Sequence, residues 1–239
     1  MALLLCAGIN LVALAEEQGI PELDVAYEVY RSGMKIANMQ RKISRLADGR
    51  LLYRSETKVV GLARIFRKDH IIEQSTWRFT DGKLIPELYE YSHTGRKKDR
   101  NVSVDFDWEK KQVSNLVNGS TWQMPATEGM LDKLLYQYSI MRDMQAGKSS
   151  LRYVVADGGP EKLYVFESLG EEVLDTQLGK LKTIKMVRHF TDSDRQSIFW
   201  SAPDLGYLPV KLENIDDGVK TIVTIHSVSG LQSKHVSQK

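Results

Sequence analysis

Cysteine is almost absent from this 239-residue chain: Cys6 is the only one, which excludes a disulfide framework and any cysteine-built zinc site. Proline is scarce at 6, and the 17 glycines follow no period, so collagen-like and low-complexity chains are excluded too. An excess of either charge is also missing. Lys and Arg number 33 against 31 Asp and Glu, and a net charge of +2 provides no field to gather nucleic acid. A mean hydropathy of −0.33 is too polar for a multi-spanning membrane protein. The 42% hydrophobic content is nevertheless too high for a disordered tail and ample for a core.

What the chain does contain starts with an apolar run over residues 2–15 that ends in Ala13, Leu14 and Ala15 and carries no charge. It is shorter than the roughly 20 residues of a spanning helix and closes on small residues, which predicts a secretory signal peptide at 1–15, cleaved after Ala15. The missing basic n-region suggests a translation start further upstream. Leu5 before Cys6 does not suit a lipobox, so no lipid anchor is expected. Residues 16–239 are then a cysteine-free, exported chain, expected in the periplasm as a single β-rich domain with no transmembrane span.

Five pairs punctuate that domain: Asp48-Gly49, Asp81-Gly82, Asn118-Gly119, Asp157-Gly158 and Asp217-Gly218. Such pairs tolerate the positive φ of tight hairpins. Between them, apolar and polar residues alternate, as in Leu23, Val25, Tyr27 and Val29 or Val102, Val104, Phe106 and Trp108. One stretch differs. Leu131, Leu134, Leu135, Tyr138 and Met141 follow helical spacing between Pro125 and Gly147. The fold class expected is therefore mainly β, a curved antiparallel sheet or partly open β-barrel, with one long amphipathic helix at about 127–146 packed on it.

The stretch Ser197-Ile198-Phe199-Trp200-Ser201-Ala202-Pro203-Asp204-Leu205-Gly206-Tyr207-Leu208-Pro209-Val210-Lys211 resembles a signature of the bacterial exported family catalogued as domain of unknown function 3108. Matching parts occur in the same order: Asp81-Gly82 leading to Pro86, Phe106-Asp107-Trp108, a helix beginning near Asp132, and Gly179-Lys180-Leu181-Lys182-Thr183. The resemblance implies an exported β-rich protein of the cell envelope to which no catalytic residue can be transferred. In shape the expected architecture also resembles the open-barrel-plus-helix carriers that shuttle lipoproteins across the periplasm.

Candidate sites are few. His70, His93, His189, His226 and His235 are dispersed without metal spacing, so neither metal nor cofactor is expected. Gly147-Lys148-Ser149 follows the helical stretch instead of preceding one, which suits a helix C-terminus and not a phosphate loop. Asp105, Asp107 and Glu109 share one strand face and raise a carboxylate-dependent hydrolase, but their alternation with Val104, Phe106 and Trp108 makes them a solvated face. Two basic clusters stand out: Arg41, Lys42 and Arg45, and Arg96, Lys97, Lys98 and Arg100. The second is a candidate for anionic head groups and peripheral membrane contact. Trp122, Met130, Leu134, Tyr138 and Met141 are candidates for an apolar pocket beside the helix, or for plain core.

The expected function is non-enzymatic: binding of a lipid or other apolar ligand, or assistance in envelope and outer-membrane biogenesis. The alternative is a protein-interaction module that docks on outer-membrane or cell-wall machinery through a strand edge, with an envelope protein as partner. A hydrolase ranks third.

Overall fold

The computed structural model describes residues 20, 22–66, 68–95, 97–190 and 195–231. The proposed signal peptide, Arg96 and His235 lie outside the described residues.

Period-two alternation builds the strands. In β1 (Leu23–Arg31), Leu23, Val25, Tyr27 and Val29 are buried and the residues between them are half-exposed. β2 (Met34–Arg45), β3 (Leu51–Val59), β4 (His70–Thr80), β5 (Lys83–Thr94), β6 (Arg100–Asp107), β7 (Gln112–Val117) and β8 (Ser120–Pro125) follow. After the two-residue β9 (Leu131–Asp132) come β10 (Leu151–Ala156), β11 (Lys162–Thr176), β12 (Gly179–His189), β13 (Gln196–Ala202), β14 (Leu208–Asp216) and β15 (Val219–Ser229). A helical turn, α1 (Ala63–Phe66), interrupts the β3–β4 connection, and a longer helix, α2 (Leu135–Gln145), separates β9 from β10.

All strands join one sheet in the order β8-β7-β6-β5-β4-β3-β2-β1-β15-β14-β13-β12-β11-β10-β9. Its pairs are antiparallel except β9 with β10. The first and last strands meet in mid-sheet, with Val29 opposite Val223, and β8 and β9 form the two edges. The sheet curls until its flanks approach: β9 lies against β5, and a Cβ on Gly158 of the β10–β11 turn would strike Val102 of β6.

Each of the five Asp-Gly or Asn-Gly pairs joins two paired antiparallel strands. Asp81, Asn118 and Asp217 have φ of 51°, 48° and 48°, followed by glycines at 74°, 92° and 73°, the paired positive values of a tight hairpin turn.

The long helix expected at about 127–146 is corrected to the eleven residues of α2. Gly129, at φ 77°, takes the chain off a helical path, and Leu131 and Asp132 pair with Val155 and Ala156 of β10. Asp132 Oδ1 then accepts the N–H groups of Leu134 and Leu135, both at 2.8 Å, which starts the helix there. At the other end Gly147, φ 73°, stands past the last turn and its N–H donates to Met144 O at 3.0 Å.

The helix fills one end of the curled sheet. Leu134, Leu135, Tyr138, Ile140, Met141 and Met144 are buried, and Tyr138 packs 5.6 Å from Trp77 of β4. Near its C-terminus, Arg142 lies over Phe79 and Gln145 Nε2 donates to Gly206 O in the β13–β14 turn. The β1–β2, β3–β4, β5–β6 and β14–β15 turns lie at the opposite end.

Candidate binding site at the open end of the interior

Inward positions lose burial on the way from the helix-filled end to the opposite one. Along β4, Phe79, Trp77 and Ser75 are buried while Glu73 and Ile71 are only half-buried. Along β5, Tyr89 is buried, and Tyr91 and His93 are half-buried. The interior therefore opens at the end carrying the β3–β4 and β5–β6 loops.

Charged groups line that opening. Lys133 Nζ donates to Glu73 Oε1 at 2.7 Å, yet 41% of the Lys133 side chain remains accessible, so water reaches the pair. The ammonium lies 5.1 Å from the Tyr91 ring centroid, and Tyr89 Oη donates to the same Glu73 oxygen at 2.9 Å. Burial works to raise the Glu73 carboxyl, but Lys133, Tyr89 and Arg41 outweigh it and hold it below its ordinary value. Arg41, on an inward position of β2, is buried and donates to Gln137 Oε1 at 2.8 Å. Arg188, on β12, is also buried, its guanidinium carbon 3.8 Å from the centroids of both Tyr164 and Phe190.

Tyr136, on the first turn of α2, stands among these charges. Its ring packs against Tyr164 at 5.1 Å, Phe166 at 5.9 Å and Tyr153 at 6.5 Å. Burial raises its hydroxyl above the ordinary tyrosine value while Arg188, Lys133 and Arg41 pull the other way. Burial likewise pushes the Tyr164 hydroxyl up to about 12. Deeper in, Asp132 is fully buried, and burial pushes its carboxyl up to about 6 against the opposing hydrogen bonds from Ser75, Leu135 and Leu134.

The proposed apolar-pocket residues divide. Met130, Leu134, Tyr138 and Met141 all belong to the packed core. Trp122 is half-buried on edge strand β8, paired with Asn115 of β7, outside that cluster. Of the basic loop residues, Lys97, Lys98 and Arg100 are exposed at the β5–β6 connection. Asp105 is exposed on the outer face, and Asp107 is tied by Lys110, whose N–H and Nζ both donate to it. The cluster of Arg41, Lys42 and Arg45 is not a common surface, because alternation on β2 turns Arg41 inward and leaves Lys42 and Arg45 exposed. Among the described residues no group of three or more His, Cys, Asp or Glu is placed to hold a metal ion.

Sequence reasoning missed Glu73, Lys133 and Arg188. It also missed Met34, Leu62 and Ile65, which stand 67%, 80% and 71% exposed at the open end, beside Arg64. Arg41 carried a usable signal, since it falls in register with buried Ala37 and Ile43.

The model of the protein family described as "Protein of unknown function (DUF3108)" matches residues 26–224. The chain belongs to this family. No match is found among curated proteins. Among solved structures, a β-barrel-like protein of domain of unknown function DUF1849 from Brucella abortus aligns with a TM-score of 0.55 at 7% identity, covering 88% of this chain and 98% of that one. At that identity the likeness concerns the fold alone. A Parabacteroides distasonis protein provisionally described as a lipoprotein aligns with a TM-score of 0.36 at 7% identity, covering 88% and 96% of the two chains. This DUF3108 member is thus mainly β, with one large open sheet, and no helix of its described residues is long and apolar enough to cross a membrane.

Proposed function

We propose that this DUF3108 protein is a non-enzymatic binding protein of the bacterial envelope that takes an amphipathic ligand into the open end of its interior. One observation carries the reading: the Glu73–Lys133 pair lies inside the curled sheet yet stays accessible, beside the aromatic wall of Tyr91, Tyr136 and Tyr164. A protein needing only stability has no use for a wet, charged interior, because an apolar core of the same volume is at least as stable. Wide aromatic walls with a few polar groups are the usual lining of small-molecule sites. The chain acts in the periplasm, and its open rim, with Leu62, Ile65, Arg64, Lys97 and Lys98, meets the membrane surface from which the ligand comes.

Native mass spectrometry on protein purified from the periplasm, followed by lipid extraction, tests the proposal. A bound small molecule is expected; a stripped monomer that takes up no lipid counts against it. The docking alternative draws on edge strand β8, whose residues are all exposed or half-buried. Crosslinking in intact cells separates the two, since docking yields one dominant protein partner and no lipid.

A further inference from the structure

We infer that the open end of the interior holds the anionic group of its ligand, a carboxylate or phosphate, between Arg188 and Arg41, with the Tyr136 hydroxyl donating to it. The inference rests on the ligand-binding reading above and adds the chemistry of the ligand's head.

Among the described residues the charges inside do not balance. Arg188 stacks on Tyr164, which packs against Tyr136, and Arg41 donates to Gln137 beside it. Of the nearby carboxylates, Asp157 is engaged by Lys162 and Tyr164. Glu73 is already engaged by Lys133 and Tyr89. Asp132 is saturated by Ser75 and two backbone N–H groups. Arg41 and Arg188 are left only 8% and 7% exposed, with no carboxylate at ion-pair distance among the described residues, and Nε of each faces no acceptor. Buried cations normally have a counter-charge, because desolvation without one is costly.

The surroundings shape what fills the gap. Tyr164 and Phe190 cover the faces of the Arg188 guanidinium, so its N–H edge is what a ligand can use, and that edge matches a carboxylate or phosphate. Tyr136 is fixed by three ring contacts, yet among the described residues its hydroxyl has no hydrogen-bond partner. The ring of Phe166, 5.4 Å from Phe199, continues the wall on which an apolar tail would lie. A small inorganic anion would use the arginines and leave that wall unused.

Isothermal titration of the full chain with decanoate, decyl phosphate, decanol and inorganic phosphate tests this. The two decyl anions are expected to bind about tenfold or more tightly than decanol and than inorganic phosphate. Arg188→Gln should erase the advantage over decanol without weakening decanol itself, and Arg188→Lys should keep part of it. Should Arg188→Gln fail to fold by circular dichroism, Arg41→Gln carries the same comparison. Equal binding of decanol and decanoate overturns the anionic head but leaves the ligand-binding reading standing. Inorganic phosphate binding as tightly as decyl phosphate overturns the amphipathic ligand. Binding of none of the four removes the ligand-binding reading and this inference together.

Discussion

Tyr27 Oη donates a buried hydrogen bond of 2.9 Å to the carbonyl of Pro209, 182 residues away. Tyr27 is on β1 and Pro209 on β14, so the bond reaches over the intervening β15. It is made where the β13–β14 register shifts between Trp200 and Ser201. Tyr27→Phe keeps the ring and orphans the Pro209 oxygen, which should cost about 1–2 kcal/mol. Urea unfolding is expected to show a lower midpoint with an unchanged slope, and decanoate binding should not move.

Asp132 makes stability depend on pH in a direction opposite to the salt-bridged carboxylates. Its folded value of about 6 lies above the ordinary 3.8, so the fold binds its proton more tightly than the unfolded chain does. Stability from this group therefore rises as pH falls from 7 toward 4, by up to about 3 kcal/mol. Glu56, held down to about 2 chiefly by Lys58 and His70, and Glu73 work the other way and lose their contribution as pH falls below about 4. Asp132→Asn keeps an oxygen for the Leu134 and Leu135 N–H groups. It should stabilise the protein at pH 7 and flatten the slope between pH 4 and 6, as read by thermal melts across pH.

Much of the sheet was legible because hairpins advertise themselves. The five Asp-Gly and Asn-Gly pairs mark five turns, and the alternation in Leu23 to Val29 or Val102 to Trp108 marks faces. The helix start was not, because Leu131 and Leu134 fit a helical stripe equally well whether the backbone around them is helix, strand or cap; Asp132 decided it through long-range contacts with Ser75 and β10. The site itself was hardest to read. Arg188 lies in a run that reads as ordinary strand, and only the stacking of its guanidinium on Tyr164 of β11 shows that it points inward. Leu62 and Ile65 sit before and within the four-residue turn α1, too short for any periodicity to report exposure.

Lys133→Met should leave Glu73 without its cation in a half-buried place. Because the pair is partly wet, the cost is about 1–3 kcal/mol, below that of a sealed ion pair. Adding Glu73→Gln is expected to recover most of the loss. A double-mutant cycle by denaturant unfolding checks it, and full additivity would mean the two side chains do not interact.

Gly158→Ala combines two penalties: φ is 84°, and the new Cβ meets Val102 Cγ1. A loss of about 1–3 kcal/mol is expected, larger than for alanine at Gly82, which has a similar φ and open space around it. Melting the two variants side by side isolates the contact that brings the sheet's flanks together.

The exposed rim should govern membrane contact. Leu62→Asp combined with Ile65→Asp is expected to abolish cosedimentation with phosphatidylglycerol vesicles, while Lys97→Glu with Lys98→Glu should weaken it by about 1 kcal/mol per charge removed and make it less salt-sensitive. Equal binding to neutral phosphatidylcholine vesicles would exclude an electrostatic component.

The mid-sheet pairing of β1 with β15 brings the two ends of the folded region side by side, so close that Gly230 has no room for a Cβ against the Glu22 carbonyl. Both ends leave at the face sealed by α2, away from the rim. A tag or surface attachment at either end therefore leaves the opening unobstructed, and a short linker between residues 22 and 230 would turn the fold into a ring. That ring has a natural place to be cut anew: the Asn118-Gly119 turn beside edge strand β8, where separating the flanking strands breaks one hairpin and leaves the β1–β15 seam intact.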